Sequence, residues 1–428
     1  IEIYIVLFNK CRNYKMKRFI IVIFGFVILN TSFAQKPEWV ILNDTNSALP
    51  DNYINEIAID KDGNKWIGTT EGLAKYDGDT TWVVYNTSNS DIPDDNIYAI
   101  AFDDDGNTWI GTFDSGIAKF DGVTWTTYDT FNSGLPHNNI TSMAIDKDGN
   151  VWIGTIFKGL VKFDRNSAWS IYNKTNSKID NHVFTITIDD DGNKWIGTGS
   201  SGLAKFDGDT TWTIYNTSNS GLPADSYNTV NVISIDKDKN IWVGMSDDIA
   251  IFDGDTTWKV YNYFNSGMHG SYVNAITFDN YGNIWIGMGM GGVQMFDRDT
   301  TWKLYGTIDS DLPNPTVKSV VIDKYGNKWI GTFGGGLAVF REGGVILGVN
   351  NESIKEKQKS IFPNPARDFI NTAAYVGWQY QIYDLLGSCV QTGLIDSENI
   401  NVAFLPAGFY TIRFFKEGKQ VVEKMMKE

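Results

Sequence analysis

The sequence predicts an all-β protein: a ring of seven four-stranded blades followed by a small Ig-like β-sandwich. Three observations predict it. A unit of about 43 residues recurs seven times, its segments alternate apolar and polar residues, and the strand missing from the last unit stands before the first.

The recurrence is anchored on W-[IV]-G, at Trp66, Trp109, Trp152, Trp195, Trp242, Trp285 and Trp329. The steps are 43, 43, 43, 47, 43 and 44 residues, a period that belongs to solenoids, propellers and arrays. Six residues before each anchor stands an aspartate: Asp60, Asp103, Asp146, Asp189, Asp236, Asp279 and Asp323. A second tryptophan follows at Trp82, Trp125, Trp169, Trp212, Trp258 and Trp302, each with a tyrosine three residues later. One unit holds four strand-like segments, such as NEIAID, KWIGT, GLAKYD and TWVVY, separated by Gly/Asp/Asn turns. Four strands in about 43 residues make a propeller blade.

Ring closure is legible at the ends. The seventh unit has three strands, through GLAVF at 336–340, and no W-x-x-Y after them. EWVIL at 38–42 supplies that strand, with Trp39 as the seventh second tryptophan. The propeller is expected over 37–342, and it uses fourteen of the fifteen tryptophans, two per blade.

Composition narrows the function. The 428 residues hold 36 Lys+Arg against 51 Asp+Glu, a net charge of -15, which argues against a nucleic-acid or anionic-membrane partner. Cys11 and Cys389 are the only cysteines, so no disulfide framework is available. From Met16 the chain reads as a signal peptide over 16–34: basic Lys17 and Arg18, an apolar run from Phe19 to Leu29, then Ser32 and Ala34 before Gln35. The apolar run is too short to span a bilayer, which takes about 20 residues. Residues 1–15 are expected to be a non-native extension. Residues 1–34 hold five basic residues and one acidic, so the mature chain carries 31 basic and 50 acidic residues, net -19, with no transmembrane segment expected.

Residues 343–359 read as a polar linker with little to bury. Segment 360–428 alternates in QYQIYDLLG and GFYTIRFF, which suggests the small antiparallel sandwich. Cys389 within it reads as a buried small hydrophobe.

Two resemblances follow from these motifs. IDKDGNKWIGTTEGLAKYDG is similar to the two-component-regulator propeller repeat, and the likeness covers all seven units. In that family the propeller is often the periplasmic sensor of a hybrid histidine kinase, with glycans as proposed ligands. This sequence shows no later membrane run and no kinase region, so only the recognition role carries over. Segment 360–428 resembles the type A sorting domain of the type IX secretion system of Bacteroidetes. The carrying residues are Pro363, Asn364 and Pro365, YDLLG ending at Gly387, LPAGFY with Leu405, Pro406, Gly408 and Tyr410, and the terminal KMMKE. That likeness implies passage through the outer membrane by the type IX machinery, removal of the tail, and release or surface attachment.

Each candidate site also has a plainer reading. Asp-x-Asp-Gly-Asn resembles the start of a calcium loop, but position 12 is Glu71 in one unit, Asp114 in the next and Phe157 in the third. A hairpin turn is the preferred reading, and neither metal nor cofactor is expected. The repeated tryptophans are first of all packing residues. Burying one removes roughly 150–250 Å² from water, about 4–6 kcal/mol gross. His137, His182 and His269 fall in the connections between blades, with no common spacing.

The loop after W-I-G-T differs in every unit, and in propellers it borders the axial funnel. Phe113, Phe157, Met290 and Phe333 there offer stacking or apolar surface; Asp114 and Lys158 offer hydrogen bonds. Free drift of short loops is the alternative. Asp-Thr-Thr before the second tryptophan marks Thr80, Thr210, Thr256 and Thr300 as candidate O-glycosylation sites, or simply as favoured turns. No nucleophile elbow, zinc helix or phosphate loop is present. The expected function is non-catalytic recognition of a glycan or surface protein, with a propeller lyase or a structural adhesin as alternatives.

Overall fold

The computed structural model describes residues 38–223, 228–347, 366–372, 375–384, 388–397, 399–416 and 419–427. Seven four-stranded antiparallel sheets form the ring. The first contains Ile54–Ile59, Lys65–Thr69, Leu73–Tyr76 and Trp82–Tyr85, in that order from the axis outward. The seventh contains Val317–Ile322, Lys328–Thr332 and Leu337–Phe340, and its outer strand is Trp39–Leu42 from the other end of the chain. Trp39 pairs with Phe340 and Leu42 with Leu337, so the ring closes through a backbone ladder.

The repeated residues explain the blade. Each anchor tryptophan is buried, from 0% to 3% exposed, in a cluster shared with the next blade. Its Nε1–H donates to the aspartate six residues earlier, at 2.9 Å for Trp109 and Asp103. The same carboxylate accepts from the Asn107 N–H and side chain. The aspartate therefore ties the hairpin turn to the buried indole, a role beyond the turn chemistry read from sequence. The glycine of W-I-G faces the next blade. A Cβ on Gly111 would collide with Ile140 of the third blade, so only glycine permits that approach. The threonine after it, Thr112, donates its hydroxyl to the Gly116 carbonyl at 2.9 Å.

The second tryptophans lie at the blade edge, six of them stacked on an aromatic of the third strand and Trp39 packed on Phe340 at a tilt of 33°. Centroid separations are 4.1 Å for Tyr76–Trp82 and Phe206–Trp212, and 4.6 Å for Phe340–Trp39. The closing strand thus reproduces the packing of an ordinary blade.

In the tail, one sheet contains Gln379–Tyr383, Cys389–Leu394, Gly408–Lys416 and Lys419–Lys427; Phe369–Asn371 pairs with Asn399–Asn401. Leu405 and Tyr410 join its apolar cluster, and the Tyr410 hydroxyl donates to the Pro406 carbonyl at 2.8 Å. Gly408 has a φ of 158°. Cys389 is exposed, against the expectation of burial, because its strand lies at the sheet edge. Residues 343–347 also differ from the expected loose linker: Val345 is buried against the ring, and Ile346 exchanges two hydrogen bonds with the Asn327 side chain. The signal peptide, Pro363, Asn364, Pro365 and Gly387 lie outside the described residues.

Candidate ligand-binding site at the channel mouth

The first strands of the seven blades surround an axial cavity of about 650 Å³. Six of them carry a bulge at the equivalent place. In the first blade Ile54 opposes Thr69 and Glu56 opposes Gly68, so Asn55 is the extra residue. The same irregularity sets out Tyr98, Thr141, Phe184, Asn274 and Lys318, and Asn231 precedes the first strand of the fifth blade. A bulge turns one side chain out of the alternating pattern. All seven residues line the channel. Some also stitch neighbouring blades: the Asn55 side chain donates to the Ile97 carbonyl at 3.0 Å, and the Asn274 side chain to the Val317 carbonyl at 2.8 Å.

The loops after W-I-G-T stand at the mouth of this channel, and Phe113 and Ile156 from two of them line it. Phe113 is exposed, lines the cavity, and packs on Tyr98 at 5.5 Å. Phe333 meets Tyr53 edge-on at 4.8 Å, with the Lys318 ammonium 5.4 Å from its ring. Phe157, 61% exposed, packs near both His137 (5.3 Å) and His182 (6.4 Å), and His182 stacks on Phe184 at 4.2 Å. Two of the three histidines therefore flank one ring; His269 lies apart, against Tyr263. Met290 is exposed at the end of its strand, opposite Ser271 and beside exposed Tyr272. Asp114 and Lys158 are exposed on their loops, and neither lines the cavity. Their backbone N–H groups donate to Asp94 and Thr155.

Besides Tyr98 and Tyr272, three titratable groups line the channel. Enclosure by the inner strands pushes the Glu56 carboxyl up to about 8, against hydrogen bonds from the Ile57 N–H and the Ser319 hydroxyl. Burial lowers His182, outweighing the nearby Asp180 carboxylate. Burial also lowers Lys318. Sequence inspection missed Glu56, Tyr98, His182, Phe184 and Lys318 as lining residues. The signal was available: the bulge position reads Asn, Tyr, Thr, Phe, Asn, Asn, Lys across blades in which the residue before it is always Ile or Val.

On the opposite face, Thr80, Thr210, Thr256 and Thr300 are exposed at turn tips. Their backbone N–H groups donate to Asp77, Asp207, Asp253 and Asp297. Among the described residues, no group of three or more His, Cys, Asp or Glu is placed to hold a metal, and no helix is long and apolar enough to cross a membrane.

Comparison with known proteins agrees with this architecture. The family described as two component regulator propeller matches residues 48–71, 91–114, 134–157 and 267–289. The secretion system C-terminal sorting domain matches residues 360–428. No curated protein matches the chain. Among solved structures, it is similar to the extracellular domain of the putative hybrid two component system BT3049 from B. thetaiotaomicron. That pair shares 20% identity with a TM-score of 0.60, covering 89% of this chain and 54% of the other. PorZ of Porphyromonas gingivalis, a surface component of the type-IX secretion system, shares 16% identity with a TM-score of 0.58, covering 91% and 60%. Virginiamycin B lyase from Staphylococcus aureus shares 14% identity with a TM-score of 0.57, covering 70% and 98%. The chain spans little more than half the length of the first two, and at these identities the likeness is one of fold. The sorting tail marks the protein as secreted or held at the outer-membrane surface. The chain carries two component regulator propeller repeats and a type IX secretion sorting domain.

Proposed function

We propose that this protein recognises a ligand at the channel mouth without transforming it, and that the ligand is a glycan or a surface protein. The observation that carries this reading is the collar of exposed aromatic rings, Phe113, Phe157 and Phe333 with Tyr53 and Tyr98, around a cavity lined by Asn55, Asn231 and Asn274. Rings that stack on sugar faces, beside amides that exchange hydrogen bonds with hydroxyls, are the chemistry of a glycan site. Asp114 and Lys158 extend the polar rim. A glycan array on the secreted protein tests it. Phe113→Ala and Phe157→Ala are each expected to weaken binding about tenfold, the equivalent of about 1.4 kcal/mol; unchanged binding in both removes the site.

A second reading, a lyase, is favoured by one observation: Glu56, His182 and Lys318, all shifted from their ordinary values, share the channel. Shifted groups in a cleft are candidates for acid–base work. Release of new reducing ends from a bound glycan, lost in Glu56→Gln and His182→Ala, would replace the binding-only reading. O-glycosylation at Thr80, Thr210, Thr256 and Thr300 is a separate proposal, supported by their exposure. An intact mass without added hexose ends it.

A further inference from the structure

The face opposite the channel mouth shows a regularity in which two seams depart from the rest. At five of the seven seams the blade that follows supplies a cation to the preceding blade's tryptophan, its aspartate, or both. Arg165 reaches Asp103 at 3.2 Å, Lys194 reaches Asp146 at 3.6 Å, Arg298 reaches Asp236 at 3.1 Å, and Lys65 reaches Asp323 at 3.8 Å. Lys328 lies over Trp285 at 4.4 Å. The cation comes from one of two positions: the residue before the anchor tryptophan, or the residue after Phe-Asp in the turn before the fourth strand. The second blade has Thr108 and Gly122 at these positions, and the fifth has Ile241 and Gly254. Cavities of about 300 Å³ and 730 Å³ open at those two seams.

The seam between the first and second blades repeats the five groups that surround Arg298, and differs in carrying Lys75 where the Arg298 seam has Ile251. Arg298 pairs with Asp236 and Asp238, lies 5.7 Å from the Trp242 ring and 5.5 Å from the Phe278 ring, and donates from Nε to the Gly282 carbonyl at 2.8 Å. The counterparts by repeat position are Asp60, Asp62, Trp66, Phe102 and Gly106. All five line the 300 Å³ cavity, together with Gly122, which stands where Arg298 would. The two rings keep the same relation: 6.2 Å and 58° for Trp66–Phe102 against 5.7 Å and 66° for Trp242–Phe278. Lys75 approaches Asp60 at 3.9 Å from its own blade, over Trp66. A lysine on this face coexists with a second cation elsewhere: Lys119 lies over Trp109, more loosely at 5.9 Å, at the seam that Arg165 occupies, and Lys162 and Lys194 both lie over Trp152. Lys61 also lines the cavity; its counterpart Lys237 coexists with Arg298. The fifth-blade seam is a poorer copy, since Ile235 replaces the phenylalanine and Lys239 already pairs with Asp191 at 3.6 Å.

We propose that the seam between the first and second blades binds a guanidinium group, the cation the chain itself supplies at the equivalent seam through Arg298. A planar guanidinium suits two carboxylates and flat aromatic walls better than an ammonium does. The source is either a small guanidino compound or an arginine side chain of a protein, and the site is independent of the channel mouth.

The test titrates methylguanidinium into the full secreted chain at constant ionic strength, followed by NMR of the tryptophan Nε1–H signals. Saturable binding is expected, at least fivefold tighter than for methylammonium. Asp62→Asn and Phe102→Ala are each expected to weaken it at least fivefold. Gly122→Arg fills the place from within and abolishes binding. A Cβ at Gly122 meets nothing within 4 Å; Gly122 holds a φ of 100°, and Arg165 and Arg298 hold 65° and 72° at the equivalent position of turns one residue longer. A short peptide with one arginine that binds tenfold tighter than methylguanidinium assigns the source to a protein; equal affinity assigns it to a small cation. Non-saturable shifts, or binding unaltered in Asp62→Asn, overturn the proposal whether or not Gly122→Arg folds.

Discussion

Trp39→Ala tests whether the first strand holds the ring closed. Trp39 belongs to the one blade built from both ends of the chain. Its indole lies 4.6 Å from the Phe340 ring and 6.1 Å from Tyr305, and it is part-buried rather than buried. A fully buried tryptophan loses about 3–5 kcal/mol on truncation to alanine. Partial exposure scales this to about 2–3 kcal/mol. For a ring of this size that corresponds to a fall in Tm of roughly 4–6 °C. Trp169→Ala is the matched control, because Trp169 stacks on Phe163 at 4.1 Å within a blade continuous in sequence. The two should lower Tm by similar amounts. They should differ in hydrogen exchange, because Trp39→Ala frees a chain end while Trp169→Ala leaves its strand tethered on both sides. Faster exchange confined to residues 39–42 and 337–340 is expected only for Trp39→Ala. A loss below about 0.5 kcal/mol, typical of an indifferent surface site, would refute the closure argument.

Further predictions rest on the blade's internal chemistry. Asp103→Asn keeps the shape but removes the charge between Trp109, Asn107 and Arg165, and should cost about 2–3 kcal/mol in urea unfolding. Burial raises Asp60, Asp103, Asp146, Asp189 and Asp236, but hydrogen bonds and neighbouring cations hold each below the ordinary 3.8. Their stabilisation is therefore complete above about pH 4 and is lost as pH falls through the folded values, so Tm should drop steeply between pH 4 and 2. Glu56 has the opposite sign. With its carboxyl raised from 4.5 to about 8, it destabilises the fold increasingly across that interval and fully above it. Glu56 lines the open channel and is only part-buried, which reduces the effect, so Glu56→Gln should gain about 1–2 kcal/mol at pH 8.5 and nothing at pH 4; an equal gain at both rules out the titration account. Gly116→Ala should cost at least about 2 kcal/mol in thermal melts, because φ is 83° and the new Cβ would strike the Tyr128 carbonyl.

The sequence by itself determined the ring. Seven anchors at near-constant spacing state the number of blades, and the orphan EWVIL states how the circle closes, because strand alternation and repeat period are local properties. It also placed Phe113, Phe157 and Phe333 in the variable loops, by comparison of one repeat with the next. What it did not show was which side chains meet. Asn55, Tyr98 and Lys318 look like ordinary strand residues, and only the bulge in the first strand turns that position toward the axis. His137 and His182 are 45 residues apart, and only the ring's curvature brings both to Phe157. The role of the repeated aspartate was hidden in the same way. Its tryptophan partner is close in sequence, but its cation comes from the next blade, about 60 residues on where arginine supplies it. Tertiary structure decided these points because each depends on how one blade faces another.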